Sequence, residues 1–361
     1  MTDENTDASE DFLIASGLDD LRQSGLNGVR QWRENIASEQ PASPSQQDST
    51  TADPQIAEQL ADLREWQAGI GADDSKPAVA PTPPPPPLGE QLCVLLHLDA
   101  NKALIIEDPA QRRGIVPETL IVLGLSLGAS AIWALLNLLD LLTRPTPLGD
   151  ATVVINGTYI PDRPWLDLLY QLAHIGLTIM PVLLAFYLLR QIRPPADGPF
   201  ATMGLRWANV PRDLVLGLGM AAGVGIPGLG LYALARLLGL NATISAGNLG
   251  PYWWAIPVYI LLAAMNGLLE EIVMVGYLFT RWTQKGLGPW AVIVISSLIR
   301  GTYHLYQGFG GFIGNIIMGL IFGWIYTRTK RVLPLVIAHT VLDIASFVGY
   351  ALLAPIWPWL H

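Results

Sequence analysis

Ionisable side chains that could perform hydrolytic chemistry are concentrated in the last third of this chain. Glu270 and Glu271 are adjacent in a long apolar run, and His304 lies in the next apolar segment. His339 and Asp343 stand four residues apart, a spacing that places two side chains on one helical face. A carboxylate can act as a general base on water, and an imidazole can assist it or stabilise developing negative charge. This combination predicts a hydrolytic site.

The two adjacent glutamates predict two different roles. Consecutive residues of an α-helix point about 100° apart, so only one carboxylate can face a reaction centre while the other faces a supporting partner. Arg300 precedes His304 by four residues and shares its helical face. A structural explanation competes, in which buried polar groups only clamp helices together. That explanation would suffice for any one residue, but the concentration of these groups in three neighbouring segments favours a site.

Long apolar segments must position these residues. Charged residues make up 14% of the chain, whereas a typical soluble domain has about 25%. A helix needs roughly 20 apolar residues to cross hydrocarbon, and strands could not satisfy their backbone groups there. We therefore predict an all-α fold, a polytopic integral membrane bundle of about seven transmembrane helices. The predicted spans are 115–142, 166–189, 214–238, 256–280, 290–306, 311–327 and 333–355.

Composition divides the chain into three parts. Residues 1–88 hold 16 acidic and 5 basic side chains and end in a proline run, which predicts a disordered, acidic, Pro-rich cytoplasmic tail whose partner stays unassigned. Residues 89–110 are predicted as a juxtamembrane interfacial segment, and residues 111–361 as the membrane-embedded domain. The acidity belongs to the tail, so no nucleic-acid partner is predicted. Cys93 is the single cysteine, which excludes a disulfide framework.

Basic residues occur in every second predicted connection, which is typical of the cytoplasmic side of a membrane protein. The N-terminus is therefore predicted to be cytoplasmic and the C-terminus to lie outside. The residues concerned are Arg112, Arg113, Arg190, Arg193, Arg206, Arg212, Arg281, Lys285, Arg328, Lys330 and Arg331.

The series of candidate residues resembles the three motifs of the CPBP (ABI) family, which comprises CAAX-processing endopeptidases and bacteriocin-processing relatives. The pattern of that family is Glu-Glu-x-x-x-Arg, then Phe-x-x-x-His, then His-x-x-x-Asn or Asp. Three stretches are similar to these motifs in order: 266–282 (NGLLEEIVMVGYLFTRW), 296–308 (SSLIRGTYHLYQG) and 334–346 (PLVIAHTVLDIAS). The resemblance covers about residues 210–350.

The resemblance implies a CAAX-protease-like intramembrane endopeptidase that acts on a membrane-associated protein or peptide, and it suggests a bacterial inner membrane. Glu270 would be the base that activates water, helped by His304. His339 and Asp343 would stabilise the oxyanion or help to bind the water. Glu271 and Arg300 would contact and orient these residues without taking part in the reaction.

Metal participation stays open at this stage. A carboxylate and two imidazoles, from Glu270, His304 and His339, could form a three-ligand zinc site with an open position. The His-Glu-x-x-His helix of common zinc peptidases is absent from the sequence. A metal-free mechanism is equally compatible with the residues, and we favour it slightly. The cofactor requirement is thus either none or a divalent metal such as zinc.

Two departures from the family pattern affect the charge balance. The first-motif arginine falls on Val275, and the second-motif phenylalanine falls on Arg300. An arginine four residues after Glu271 would neutralise that carboxylate on the same helical face. We therefore predict that Arg300 supplies the missing charge from the neighbouring span. The alternative is that Arg300 contacts a loop carbonyl or water.

Val275 also keeps a rival function open, a catalytically silent membrane scaffold or a bacteriocin-immunity-type binder. A third reading is a proton-coupled transporter, because membrane carboxylates and histidines also form proton relays. The sequence shows no inverted repeat, and its polar groups cluster at one place, which argues against a transporter.

Overall fold

Apolar helices make up most of the described chain, which in this computed structural model covers residues 96–98 and 104–353. In chain order they are α1 (Pro109–Arg113), α2 (Ile115–Gly124), α3 (Leu127–Thr143), α4 (Pro164–Thr178), α5 (Met180–Gln191), α6 (Gly198–Thr202), α7 (Val210–Leu237), α8 (Ala255–Glu270), α9 (Leu278–Lys285), α10 (Pro289–Thr302), α11 (Phe309–Thr329) and α12 (Leu333–Leu353). A π-helical segment, Glu271–Tyr277, joins α8 to α9. The predicted tail, residues 1–88, lies outside the described residues.

Five helical segments of the described chain are long and apolar enough to cross a membrane. They are Pro164–Gln191, Val210–Leu237, Ala255–Lys285, Phe309–Thr329 and Leu333–Leu353. A sixth is obtained if α1–α2 and α3, which meet at a bend of 56°, form one span. Helix α10 has 14 residues, fewer than the roughly 20 that cross hydrocarbon. The all-α membrane bundle is confirmed, whereas the count of seven stays a prediction.

The bend between α2 and α3 has a local cause. The hydroxyl of Ser126 donates a hydrogen bond to the carbonyl of Val122 at 2.7 Å. A serine hydroxyl that bonds a carbonyl four residues back competes with the backbone ladder and often bends a helix. The first predicted span, 115–142, is therefore two helices rather than one straight helix.

The connections that the sequence marks as basic meet at one end of the bundle. The N–H of Ile106 donates to the carbonyl of Gln284 at 2.9 Å, and the N–H of Val332 donates to the carbonyl of Met203 at 2.8 Å. The first bond joins the segment before α1 to the last turn of α9, and the second joins the connection after α6 to the one before α12. Nη1 of Arg281 in α9 also donates to the carbonyl of Arg193 at 2.7 Å, which brings the connection after α5 to α9. We call this the basic end.

A short parallel sheet lies at the opposite end. Strand β1 (Thr152–Asn156) pairs with β2 (Thr243–Gly247), with Thr152 opposite Thr243. Close by, the N–H of Ala242 donates to the carbonyl of Gln307 at 3.0 Å. The all-α expectation did not include these strands, which lie in polar connections outside the apolar runs. The connections α3–α4, α7–α8 and α10–α11 therefore lie at one end of the bundle, opposite the basic end. Seven membrane crossings would require this alternation.

A buried ionic cluster ties α2, α5 and α9 together at the basic end. Arg281 is 0% exposed, and its Nε lies 2.6 Å from Oε1 of Glu118. Arg193 also pairs with Glu118, and the hydroxyl of Tyr277 donates to the same carboxylate at 3.0 Å. Nη2 of Arg281 donates to the carbonyl of Leu188 at 2.6 Å. The predicted spans placed Arg281 in a connection, but the structure places it inside α9.

This cluster predicts a large difference between two arginine substitutions. Arg281→Ala leaves Glu118 with less compensation and several carbonyls without donors, so the free energy of unfolding should fall by about 3–5 kcal/mol. Arg144→Ala is the control, because Arg144 and Asp140 form an ion pair with side chains 54% and 56% exposed. The loss there should stay below about 1 kcal/mol. Denaturant unfolding in detergent micelles measures both, and equal losses would contradict the structural role of Arg281.

Candidate active site

Helices α8, α10 and α12 bring the candidate residues together. Glu270 is the last residue of α8, and Glu271 is the first residue of the π-helical segment. Arg300 comes from α10 and His339 from α12. π-Helical turns are rare and occur frequently at functional sites, because the extra residue re-aims the side chains around it.

Exposure distinguishes the two glutamates. Glu271 is 0% exposed, whereas Glu270 is 8% exposed. A carboxylate that must meet water needs some access to solvent, whereas a buried carboxylate needs compensating partners. This difference favours Glu270 as the reacting carboxylate and Glu271 as its support.

The predicted contact between Arg300 and Glu271 is present. Nη2 of Arg300 lies 2.7 Å from Oε1 of Glu271, and Nη1 lies 3.6 Å from Oε2 of Glu270. Arg300 is 2% exposed, and its guanidinium lies 5.7 Å from the ring centroid of Phe322. One buried cation therefore compensates both carboxylates from a neighbouring helix, at a position where the family pattern has phenylalanine.

Glu271 also orients His339. Nδ1 of His339 lies 2.7 Å from Oε1 of Glu271. A carboxylate only accepts, so Nδ1 carries the proton and Nε2 is an acceptor when the ring is neutral. Nε2 lies 4.0 Å from Oε2 of Glu270 and 3.9 Å from Oδ1 of Asp343. The free nitrogen thus faces two carboxylates at distances longer than a direct hydrogen bond.

His304 lies just beyond the end of α10. Its Nδ1 is 3.0 Å from the carbonyl of Arg300, which fixes the tautomer and leaves Nε2 as an acceptor in the neutral ring. Its ring centroid lies 4.8 Å from that of Tyr303. The hydroxyl of Tyr303 in turn donates to Oε2 of Glu270 at 2.6 Å. His304 therefore lies next to Tyr303, which in turn contacts Glu270.

Two residues of the site were not identified from the sequence. One is Tyr303, and the other is Asn266, whose Nδ2 lies 2.8 Å from Oδ2 of Asp343. Asn266 stands four residues before Glu270 and shares its helical face. That spacing was a usable signal. Tyr303 had none beyond its position next to His304.

The sequence left open a possible metal ligand set of Glu270, His304 and His339. Within residues 96–98 and 104–353, no group of three His, Cys, Asp or Glu side chains is arranged so that it could hold a metal ion. The set of Glu270, His304 and His339 is therefore not gathered as ligands. Nδ1 of each histidine bonds an oxygen, which leaves Nε2 of each ring as the nitrogen that could meet water or a ligand. Metal dependence is tested below by chelator treatment of the active protein.

A cavity of about 200 Å³ lies elsewhere, between α6, α9, α10 and α11. Its lining includes Thr280, Tyr326 and Lys330, and none of the candidate catalytic residues. We therefore do not assign this cavity to the reaction.

The ion pair of Arg300 predicts a specific rescue. Arg300→Ala should destabilise the protein, because Glu271 would stay buried without its cation, a loss of about 3–5 kcal/mol. The double change Val275→Arg with Arg300→Phe returns the arginine to the helix of Glu271 and should restore folding. Thermal unfolding in detergent and proteolytic assay of the same preparations would measure both. A double variant as unstable as Arg300→Ala would contradict this account of the charge.

No curated protein and no solved structure matches the chain. One family model does match, over a region that contains every residue of the candidate site from Asn266 to Asp343. Residues 252–345 match the family described as type II CAAX prenyl endopeptidase Rce1-like, and this match confirms the resemblance predicted from the three motifs.

Proposed function

We propose that the protein is an intramembrane endopeptidase that hydrolyses a peptide bond in a membrane-associated protein or peptide. The observation that carries the proposal is a buried carboxylate, Glu270, at 8% exposure, backed by Glu271 at 0% and compensated by Arg300. The match to a family of endopeptidases supports the same reaction class. The apolar helices around the site make the bilayer the setting of the reaction.

Glu270 is the general base of the proposed reaction. Its Oε2 accepts from Tyr303 and faces Arg300, which leaves Oε1 to take a proton from water. The resulting hydroxide attacks the carbonyl carbon of the scissile peptide and forms a tetrahedral oxyanion. Glu270 then returns the proton to the departing amine nitrogen as the C–N bond breaks, so that the base is regenerated. The acceptor Nε2 of His304 assists in orienting the water.

His339 and Asp343 complete the proposed site. When Nε2 of His339 is protonated it is a donor, and the carboxylate of Glu271 on Nδ1 stabilises this imidazolium. A donor at that position can stabilise the oxyanion. Nε2 lies 4.0 Å from Glu270 and 3.9 Å from Asp343, distances that a reacting oxygen between these groups would bridge.

The substrate class follows from the setting and from the description of the matching family. That description names prenyl endopeptidases, so a peptide with a prenylated C-terminus is one arm of the substrate test and its unmodified form is the other. For the location, we propose an integral protein of a bacterial inner membrane. The gathered basic end would face the cytoplasm together with the N-terminus.

Glu270→Gln tests the proposed base. The amide keeps the size of the side chain but cannot take a proton, so cleavage should fall about 10²–10⁴-fold while the protein stays folded. Wild type and variant are incubated in detergent with a membrane-protein peptide library and with the two substrate arms, and cleavage is measured by mass spectrometry. Asp140→Asn is the matched control, because that exposed carboxylate pairs only with Arg144 in the structure.

Each result of this experiment bears on a different claim. Cleavage that persists in Glu270→Gln would contradict the assignment of the base. A folded wild type that cleaves no peptide in any arm would count against the peptidase and favour a catalytically silent binder. Chelator treatment of the active wild type would report whether a metal takes part.

Tyr303→Phe tests the hydrogen bond on Glu270. A hydrogen bond to a charged group contributes about 1.5–3 kcal/mol, so its removal should lower kcat about 10-fold or more. Tyr232→Phe is the control, because the hydroxyl of Tyr232 also has a partner, the N–H of Ile244 at 3.1 Å, but lies at the sheet. Steady-state kinetics on any cleaved peptide measures the effect. Equal kcat values for the two variants would remove Tyr303 from the mechanism.

A further inference from the structure

Helices α8 and α12 face each other with matched polar pairs. On α8, Asn266 and Glu270 are four residues apart, and on α12, His339 and Asp343 have the same spacing. The helices run in opposite directions, because α8 starts at the sheet and α12 starts at the basic end. Asn266 therefore meets Asp343 at 2.8 Å, while Glu270 meets His339 at 4.0 Å.

A glycine allows this close approach. A Cβ added to Gly267 would lie 2.5 Å from Oγ1 of Thr340 on α12 and 3.1 Å from the carbonyl of Val336. Any larger residue at this position would push α8 and α12 apart. Gly267 directly follows Asn266 in the chain, so the hydrogen bond to Asp343 depends on this contact between the two helices.

The negative charges around the site explain why Asp343 needs the hydrogen bond from Asn266. Asp343 is a third carboxylate beside Glu270 and Glu271, and Arg300 is the buried cation that compensates those two. The side chain of Asp343 is 20% exposed, so packing alone does not fix its rotamer. Rotation toward Glu270 would bring like charges together, which is unfavourable. The amide of Asn266 holds Oδ2 and leaves Oδ1 facing Nε2 of His339.

We infer that Asn266 is a positioning residue for the proposed hydrolysis, which fixes the carboxylate of Asp343 so that it faces His339 beside Glu270. The inference rests on the proposed function and adds a residue that is not among the defined positions of the three family patterns. Asn266 acts through Asp343 and takes no proton itself. Its loss should therefore affect the rate of the reaction more than the binding of substrate.

A reciprocal exchange tests this role in the full-length protein in detergent. Asn266→Asp places two carboxylates opposite each other, and kcat should fall about 100-fold, the cost of misplacing a reacting group by about 1 Å. The double variant Asn266→Asp with Asp343→Asn restores one amide and one carboxylate in exchanged positions. Its kcat should recover most of this loss, whereas KM should change little in either variant. Asn315→Ala is the matched control, since the amide of Asn315 bonds the carbonyl of Gly311 at 3.0 Å, outside the site.

The outcomes separate this inference from the proposed function. A wild type without cleavage activity contradicts the proposed function and this role with it. An active wild type with an unchanged kcat in Asn266→Ala contradicts the positioning role alone. A lower melting temperature with an unchanged kcat of the folded fraction would make Asn266 only structural. If Asn266→Asp does not fold, the kcat and KM of Asn266→Ala decide the question.

Discussion

Buried charge must be balanced inside an apolar bundle, and the rest of this site depends on how Arg300 achieves that balance. Its guanidinium contacts Glu271 directly and approaches Glu270. With the charge of Glu271 compensated, that carboxylate can also accept from Nδ1 of His339, which sets the tautomer of the ring. In the family pattern the compensating arginine lies on the same helix as the two glutamates, whereas here Arg300 lies on α10.

The bundle has a second region of buried charge, and its role differs. At the basic end, Glu118 is held by Arg281 and Arg193, and Arg281 also donates to backbone carbonyls. A further pair joins Nε of Arg331 to Asp213 at 2.6 Å. These groups pair with one another and with backbone carbonyls across several helices, which is what a structural clamp requires. In the reaction proposed for the candidate site, by contrast, Nε2 of His339 and one oxygen of Glu270 act on water and substrate.

The sequence was sufficient for the features that depend on composition and on spacing within one helix. Apolar length predicted the membrane helices, and the four-residue spacing of His339 and Asp343 predicted their common face. The contact of Arg300 with Glu271 was also predicted, because an uncompensated carboxylate limits the choice of partner. The partnership of Glu118 with Arg281 was not, since these residues are 163 positions apart and helical periodicity does not identify neighbouring helices. For Asn266 the spacing to Glu270 indicated a shared helical face, but its partner Asp343 on α12 could not be identified from periodicity. The strands β1 and β2 lie in short polar connections that carry little periodicity.

The π-helical segment between α8 and α9 has a consequence for how this long helix can serve both regions. Glu270 and Glu271 stand at its start, and Arg281 lies shortly after its end. A π turn takes up one more residue than an α turn, so it changes the angular phase of everything that follows. The half of the helix that faces Arg300 and the half that faces Glu118 are therefore set in different rotational registers. Deletion of one residue from this segment would restore the α-helical hydrogen-bond pattern but rotate α9 relative to α8. Either the contacts with Arg300 or those with Glu118 would then be lost, so both sites constrain the length of the segment.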